Sequence, residues 1–573
     1  MCGIAGIVSK NEDETAANLK RMLYSMQHRG PDGAGMMIGK NVEHKSRLEA
    51  LIFENKKGMI ALGHVRLAIT GGMDGLQPFQ SKDKRFCILH NGEIYNYREL
   101  RKELKDVHFQ TKTDSEVVLH LIEKNYNGDL TEAMQKVLPK LDGVYALVVT
   151  DNRQTIIARD KIGVRQLYYL KNRNHVAFAS EKKPLFAVSN NGSEVHRLLP
   201  GDLTIINHGQ NMERMPFWTL DDLKISPKIK DEAEAIETYS RVIQEAVRKR
   251  VAGRKRVGII FSGGIDSLLI AHEVQSLGIA FTCYTAGRQG AIDIEWAQRL
   301  ARQFDFPLKV ALLTTDDIEE LIPQIVRDIE DYSLNQVEVS VPIYASVRMA
   351  QEAGERVILT GQGADELFGG YPWYSKIVDQ EGYESFERYS WEDTFLLYKE
   401  CLEREDKIAM AHSMELRVPF LDPKVIQTAF QIFPDLKIEG ENDNLAKRIH
   451  RKYCVSRGIP IEIAFRKKEA AQHGADVHDV FEELALSHGL TESLLNEVGY
   501  DPGKTVLEKL GSSSRYGFKY GDHHLWKPLP HVQYYLDSKA AELGLLPEKA
   551  RYHWQEINQK LHALKCAAQK EES

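Results

Sequence analysis

Two stretches of this 573-residue chain combine residue types that could do chemistry. The first is Met1-Cys2-Gly3-Ile4-Ala5-Gly6. A cysteine that becomes the first residue on loss of Met1 carries its own base, because its free α-amine sits beside the thiol. The second is Arg256-Val257-Gly258-Ile259-Ile260-Phe261-Ser262-Gly263-Gly264-Ile265-Asp266-Ser267. An apolar run of strand length turns there through two glycines into a helix. Glycines let backbone N–H groups converge on an anion, and a helix N-terminus adds its positive dipole end. Ser262 and Ser267 offer hydroxyls to phosphate, and Asp266 can hold a metal ion. No lysine follows the glycines, so this is not a Walker A loop.

An attacking thiolate needs donors where the tetrahedral oxyanion will form. Asn91-Gly92 supplies a side-chain amide and an unhindered N–H, and is expected on one tight turn. A substrate with α-amino and α-carboxylate groups needs a cation and an anion held apart. Arg66 can grip the carboxylate in bidentate fashion, and Asp114 or Glu93 can take the ammonium. In the second half, Gly361-Gln362-Gly363-Ala364-Asp365-Glu366 places two adjacent carboxylates after a glycine turn. Beside a pyrophosphate they could bind Mg²⁺.

The elements that must position these residues follow from periodicity. Leu19, Met22, Leu23 and Met26 share one helical face over 14–27. Short strands are expected at 63–69, 86–90, 145–150, 154–158 and 167–170, with helices from Tyr97 and from Thr113 or Asp114. A layered α/β sandwich fits this mixture. A charged, proline-broken stretch over 221–228 marks a domain boundary. Beyond it, a helix from Asp231 and strands at 256–261, 281–287 and 356–360 alternate with helices. That calls for a doubly wound parallel sheet with ligands at the carboxyl ends of its strands. Helices are expected at 534–541 and 552–567, and a polar loop at 512–517.

The chain length implies two or three domains. Hydrophobic content of 43% and charged content of 27% are those of a soluble globular protein. No apolar run approaches a membrane span and the N-terminal stretch lacks a signal-peptide pattern, so a cytoplasmic location is expected. The net charge of −7 argues against a broad nucleic-acid-binding surface. Six cysteines without a CxxC pair fit a reducing compartment.

Cys2-Gly3-Ile4, Arg29-Gly30-Pro31-Asp32, His64-Val65-Arg66-Leu67, Asn91-Gly92-Glu93-Ile94-Tyr95-Asn96 and Asp114 together resemble the class II glutamine amidotransferase domain. Ala158 to Arg165 and Phe178 to Glu181 extend the match to about residue 205. The resemblance implies an N-terminal-nucleophile hydrolase αββα sandwich that releases ammonia from glutamine. Cys2 would be nucleophile and base, and Asn91 and Gly92 the oxyanion hole. Arg66, Leu67, Ile69, Asn91, Gly92, Glu93 and Asp114 would hold glutamine.

The SGGxDS loop resembles that of ATP pyrophosphatases, which transfer AMP to an acceptor oxygen. Arg404-Glu405-Asp406-Lys407, Met410 to Asp422 and Phe465 to Glu469 follow in order. The whole set, over roughly 2–475, resembles the glutamine-hydrolysing asparagine synthetase family. That likeness implies ATP and Mg²⁺, and adenylation of aspartate on its β-carboxylate. It also implies attack by ammonia delivered through the domain interface, and the homodimers common in the family. Phe261, Ser262, Gly263, Gly264, Asp266, Ser267, Ala286, Thr360 and Gly361 would bind ATP. Asp266 and Asp365 would hold the metal, and Lys468 would be a catalytic lysine on the phosphates. Domains are expected at 2–205 (glutaminase), 206–230 (linker), 231–480 (synthetase) and 481–573 (a mostly helical extension).

The chain departs from the family pattern at three positions. Gln362 stands where many members carry Glu, and an amide cannot act as a base toward ammonium. Glu338 falls where some members have Arg, and Gln166 replaces a common Pro. The alternative reading is an amide-forming adenylating enzyme with a different carboxylate acceptor. A non-catalytic sensing relative is disfavoured by the intact Cys2 and SGGIDS loop.

Overall fold

The computed structural model describes residues 2–151, 153–189, 195–209, 211–223, 227–440, 443, 445–467, 471–506 and 529–571. Lys468, the 512–517 loop and the last two residues lie outside that set. The chain forms two compact units, Met1–Ile225 with Ala409–Glu415, and Ser226–Ile408 with Leu416–Ser573.

Among the described residues the first unit carries thirteen strands. They are β1 (Cys2–Ser9), β2 (Ala34–Ile38), β3 (Asn41–Lys45), β4 (Ile60–Arg66), β5 (Phe79–Gln80), β6 (Cys87–Ile94) and β7 (Gly143–Thr150). Next come β8 (Gln154–Arg159), β9 (Tyr168–Lys171), β10 (His175–Ala179), β11 (Val195–Arg197), β12 (Asp202–Asn207) and β13 (Met212–Pro216). They build a seven-stranded sheet, β11-β9-β10-β1-β4-β2-β3, and a six-stranded sheet, β13-β12-β8-β7-β6-β5. Side-chain alternation along β1 shows how the layers stack. Ile4 and Val8 join Leu62, Leu89, Val148, Ile157 and Phe178 between the sheets. Ala5 and Ile7 point the other way, onto Leu19, Met22, Leu23 and Met26, from or just beyond the helix Thr15–Ser25. The helices Asp114–Asn125 and Leu130–Val137 cover the six-stranded sheet through Val117, Leu121, Met134 and Val137. The αββα order expected from the sequence is the observed one.

Two local expectations are corrected. Asn91-Gly92 is not a turn: both residues lie inside β6 and pair with Ala146 and Tyr145 of β7. The strand passes so close to its neighbour that a Cβ on Gly92 would lie 2.0 Å from Val144 O, and φ is +153°. The glycine thus serves a close approach rather than a chain reversal. The stretch 206–230, expected as linker, contains β13, which is zipped antiparallel to β12. The six-stranded sheet therefore continues past residue 205.

The second unit holds a five-stranded sheet of order β16-β15-β14-β17-β18. Its strands are β14 (Arg256–Ile260), β15 (Ala280–Gly287), β16 (Leu308–Leu312), β17 (Val357–Leu359) and β18 (Glu415–Arg417). β14 runs parallel to both β15 and β17, and β15 parallel to β16. The chain leaves the central strand β14 with neighbours on both sides, the switch point where doubly wound sheets take ligands. Helix Glu232–Val251 starts where Asp231 caps the Glu234 N–H at 2.8 Å. The region after 480 belongs to this unit rather than standing apart. Gln533 of the helix Pro530–Glu542 accepts from Leu334 N at 3.1 Å and donates to Tyr332 O at 3.0 Å. Tyr500 closes on Asp537 at 2.6 Å. Among the described residues no helix is long and apolar enough to cross a membrane.

Candidate functional site

In the first unit, strand register sets Cys2 beside its partners. β1 and β4 pair with Cys2 opposite Arg66. Arg29, buried and ion-paired with Glu181 at 2.9 Å, donates its Nε to Cys2 O at 3.1 Å and fixes the start of β1. Burial alone would raise the Glu181 carboxyl, but His28, Lys183 and Arg29 around it hold it well below the usual carboxylate range. The Cys2 nitrogen donates to Asn91 Oδ1 at 2.9 Å. That contact leaves Asn91 Nδ2 buried with no hydrogen-bond partner.

Cys2, Arg66, Leu67, Ile69, Gly92, Glu93 and Asp114 line one pocket. Arg66 donates Nη2 to Thr70 O at 3.2 Å, while its buried Nη1 has no hydrogen-bond partner. Glu93 accepts from Thr70 Oγ1 at 2.7 Å. Asp114, at the first turn of its helix, accepts from Ile94 N at 2.9 Å and Ser115 N at 3.0 Å. Burial nevertheless pushes its carboxyl up to about 6. One wall thus presents a cation with a spare N–H, another presents two carboxylates, and the thiol and the strand glycine complete the pocket. An amino acid bearing a side-chain amide matches that arrangement.

Sequence reasoning missed the polar bed beneath this pocket. Gln77 brackets the His90 backbone, accepting from its N–H at 2.6 Å and donating to its carbonyl at 3.0 Å. Ser115 Oγ meets His90 Nδ1 at 2.9 Å. Burial drives the His90 imidazole down to about 3, so it stays neutral. Nothing local in the sequence marks Gln77 or Thr70, which arrive on a loop.

In the second unit the glycine loop sits where β14 ends. Gly263 has φ +71°, and a Cβ there would meet Ala297 N at 2.8 Å. The helix Ile265–Ser276 begins at once, so Asp266 and Ser267 occupy its first turn. Ser267 Oγ donates to Gly264 O at 3.1 Å. Phe261, Ala286, Thr360 and Gly361 lie at or just past the carboxyl ends of the parallel strands β14, β15 and β17. Gly361 packs on the loop, its missing Cβ only 2.9 Å from Asp266 Cβ.

Asp266 and Asp365 meet on one cation, the buried ammonium of Lys447, at 2.7 and 2.9 Å. His450 Nε2 adds a contact to Asp266 at 3.2 Å. Among the described residues no cluster of three or more metal-ligating side chains forms. Two carboxylates converging on a single cation position still suit Mg²⁺, which keeps waters and substrate oxygens in its shell. Lys447 has no sequence signal, since 181 residues separate it from Asp266. Arg466, one of the cations in 465–469, donates to Gly263 O at 2.8 Å and so reaches the loop. Glu338 is buried and meets His478 Nδ1 at 2.7 Å. Lys468 belongs to the residues outside the description.

Residues 1–199 match the family model described as a glutamine amidotransferase domain. Residues 238–380 and 378–537 match that described as asparagine synthase. A Methanocaldococcus jannaschii protein, provisionally named glutamine-hydrolyzing asparagine synthetase 1, is 33% identical over 545 residues, which is 87% of this chain and 98% of that one. Glutamine-hydrolyzing asparagine synthetase 1 of Arabidopsis thaliana is 28% identical over 495 residues, 83% of this chain and 78% of that one. A glutamine phosphoribosylpyrophosphate amidotransferase from B. subtilis, solved with ADP and GMP, is 23% identical with a TM-score of 0.35, covering 50% of this chain and 67% of its own.

Proposed function

The chain belongs to the glutamine-hydrolysing asparagine synthetase family, and from that premise we propose how its residues divide the work of making asparagine with glutamine as nitrogen donor. The two halves of the reaction fall to the two units. The observation that carries the first half is the pair of buried donors, Asn91 Nδ2 and Arg66 Nη1, that lack partners in the first unit. Polar groups left unsatisfied in a buried site are costly unless a ligand completes them.

Arg66 grips the α-carboxylate of glutamine, and Asp114 and Glu93 take its α-ammonium. The Cys2 thiol, deprotonated by its own α-amine, attacks the side-chain amide carbon. Asn91 Nδ2 and the Gly92 N–H stabilise the resulting oxyanion. The C–N bond then breaks, ammonia leaves with the proton held by the α-amine, and water releases glutamate from the thioester. Leu67 and Ile69 give the pocket its apolar wall.

In the second unit, Ser262, Gly263, Gly264 and Ser267 cradle the phosphates of ATP, and Phe261, Ala286, Thr360 and Gly361 line the AMP moiety. The acceptor is the β-carboxylate of aspartate, which displaces pyrophosphate to give an acyl adenylate. Asp266 and Asp365 are the residues that would hold Mg²⁺, and the ion would neutralise charge on the leaving pyrophosphate. Arg466 and Lys447 add fixed positive charge beside the loop, and Lys468 is assigned to the phosphates by resemblance.

Substituting Cys2 tests the division of labour. Cys2→Ala should abolish glutamine-dependent asparagine formation and leave ammonia-dependent formation intact. Loss of both would contradict two chemically separate sites.

A further inference from the structure

Amide formation from an acyl adenylate liberates a proton, and the loop that leaves β17 beside the phosphate loop carries Gln362. An amide cannot accept that proton. The Gln362 side chain is nevertheless engaged: its Nε2 donates to Oε1 of Glu405. Glu405 lies in the helix Leu402–Ala411 and is 1% exposed. Its second oxygen, Oε2, is buried and makes no hydrogen bond.

The neighbours of Glu405 place it at the synthetase centre. The Thr360 hydroxyl lies beside it, and Thr360 follows the last residue of β17. The next residue, Gly361, packs on Asp266 and on Ser267 N, to which an added Cβ would come within 3.2 Å. Carboxylate, Gln362, Gly361 and phosphate loop therefore form one contiguous run. The adjacent Arg404 reaches Glu405 only at 3.5 Å, and its Nη1 is bound to Gln336 Oε1 at 2.9 Å. Cys401 is a further titratable neighbour, and burial drives its thiol well above its ordinary range.

We propose that Glu405 is the general base of amide formation, held in place by Gln362. The assignment rests on the synthetase reading above. As the ammonia nitrogen bonds to the acyl carbon, the acyl C–O bond to AMP breaks and its electron pair leaves on the phosphate oxygen. The surplus N–H proton passes to Glu405 Oε2 and then to water. Burial raises this carboxyl to about 7, where it is part ionised at neutral pH and well matched to general-base work.

The test uses the full chain with Glu405→Gln and Glu405→Asp. Three quantities are followed: aspartate-dependent pyrophosphate release, glutamine hydrolysis and asparagine formed. Glu405→Gln should make asparagine about 10²-fold or more slowly, the size typical of a lost general base. Glutamine hydrolysis and the KM for aspartate in pyrophosphate release should stay unchanged. Glu405→Asp should recover part of the rate. Wild-type amidation should rise as pH passes about 7, and Glu405→Gln should lose that limb. Amidation by Glu405→Gln within about threefold of wild type would overturn the assignment. So would a raised aspartate KM with amidation intact, or an equal loss of pyrophosphate release. A wild type that releases no pyrophosphate with aspartate overturns the synthetase reading and this assignment together, whereas asparagine formed equally fast by both proteins overturns the assignment alone.

Discussion

Asn91 meets Cys2 through its oxygen: the Cys2 nitrogen donates to Asn91 Oδ1 at 2.9 Å, and Asn91 Nδ2 remains buried without a partner. One side chain thereby holds the Cys2 nitrogen and keeps a donor in reserve. Asn91→Ala should lower kcat for glutamine hydrolysis by about 10²–10³-fold, the usual effect of losing one oxyanion donor. Ammonia-dependent synthesis should be unchanged. A steady-state comparison with both nitrogen sources checks this, and equal losses with the two would remove Asn91 from the role.

Arg66 combines a bond to Thr70 with a free Nη1 in the same pocket. Arg66→Lys should raise KM for glutamine nearly as much as Arg66→Ala, because an ammonium cannot reproduce a planar two-pronged grip. Pyrophosphate release should not respond. Full function in Arg66→Lys would mean that Arg66 contributes only charge.

Asp114 yields a pH dependence. Burial raises its carboxyl from 3.8 to about 6. Between those values the folded chain holds a proton that the unfolded chain has lost. The stability this group contributes is therefore greatest below 3.8 and declines as pH rises toward 6. Binding runs the opposite way, since the ammonium of glutamine needs the carboxylate. KM for glutamine should fall as pH climbs through about 6 and flatten above it. Asp114→Asn should remove that step.

Lys447 holds two carboxylates apart at 2.7 and 2.9 Å. Lys447→Met leaves them facing one another without a cation, at a cost of about 3–5 kcal/mol for a broken buried pair. Its Tm should drop in chelator, and Mg²⁺ should raise Tm more than in the wild type. A variant as stable as wild type, with no added response to Mg²⁺, would argue against Asp266 and Asp365 as the ion's ligands.

The layers of both units were legible because apolar residues recur with the period of the element they build: β1 alternates its faces, and Leu19, Met22, Leu23 and Met26 repeat at helical spacing. The paired glycines of the phosphate loop and the Cys2 start were legible for a different reason, since few backbones need those residues in that order. Asn91-Gly92 misled as a turn because a glycine demanded by close strand approach looks the same, in sequence, as one demanded by a reversal. Glu405 and Lys447 were hidden by distance and by company. Glu403-Arg404-Glu405-Asp406-Lys407 is an unbroken run of charged residues, yet all five are buried. Lys407, for one, is ion-paired at 2.9 Å with Glu330, which comes from outside this helix. Only the fold supplies such partners.

The identity of the acceptor decides which amide the proposed reaction makes. Pyrophosphate release from ATP should be measured with Mg²⁺ and ammonia, with and without aspartate, while asparagine is followed by mass. Release that depends on aspartate and matches the asparagine formed is the predicted result. Protein that hydrolyses glutamine but releases no pyrophosphate with aspartate, and does so with another carboxylate, would contradict it.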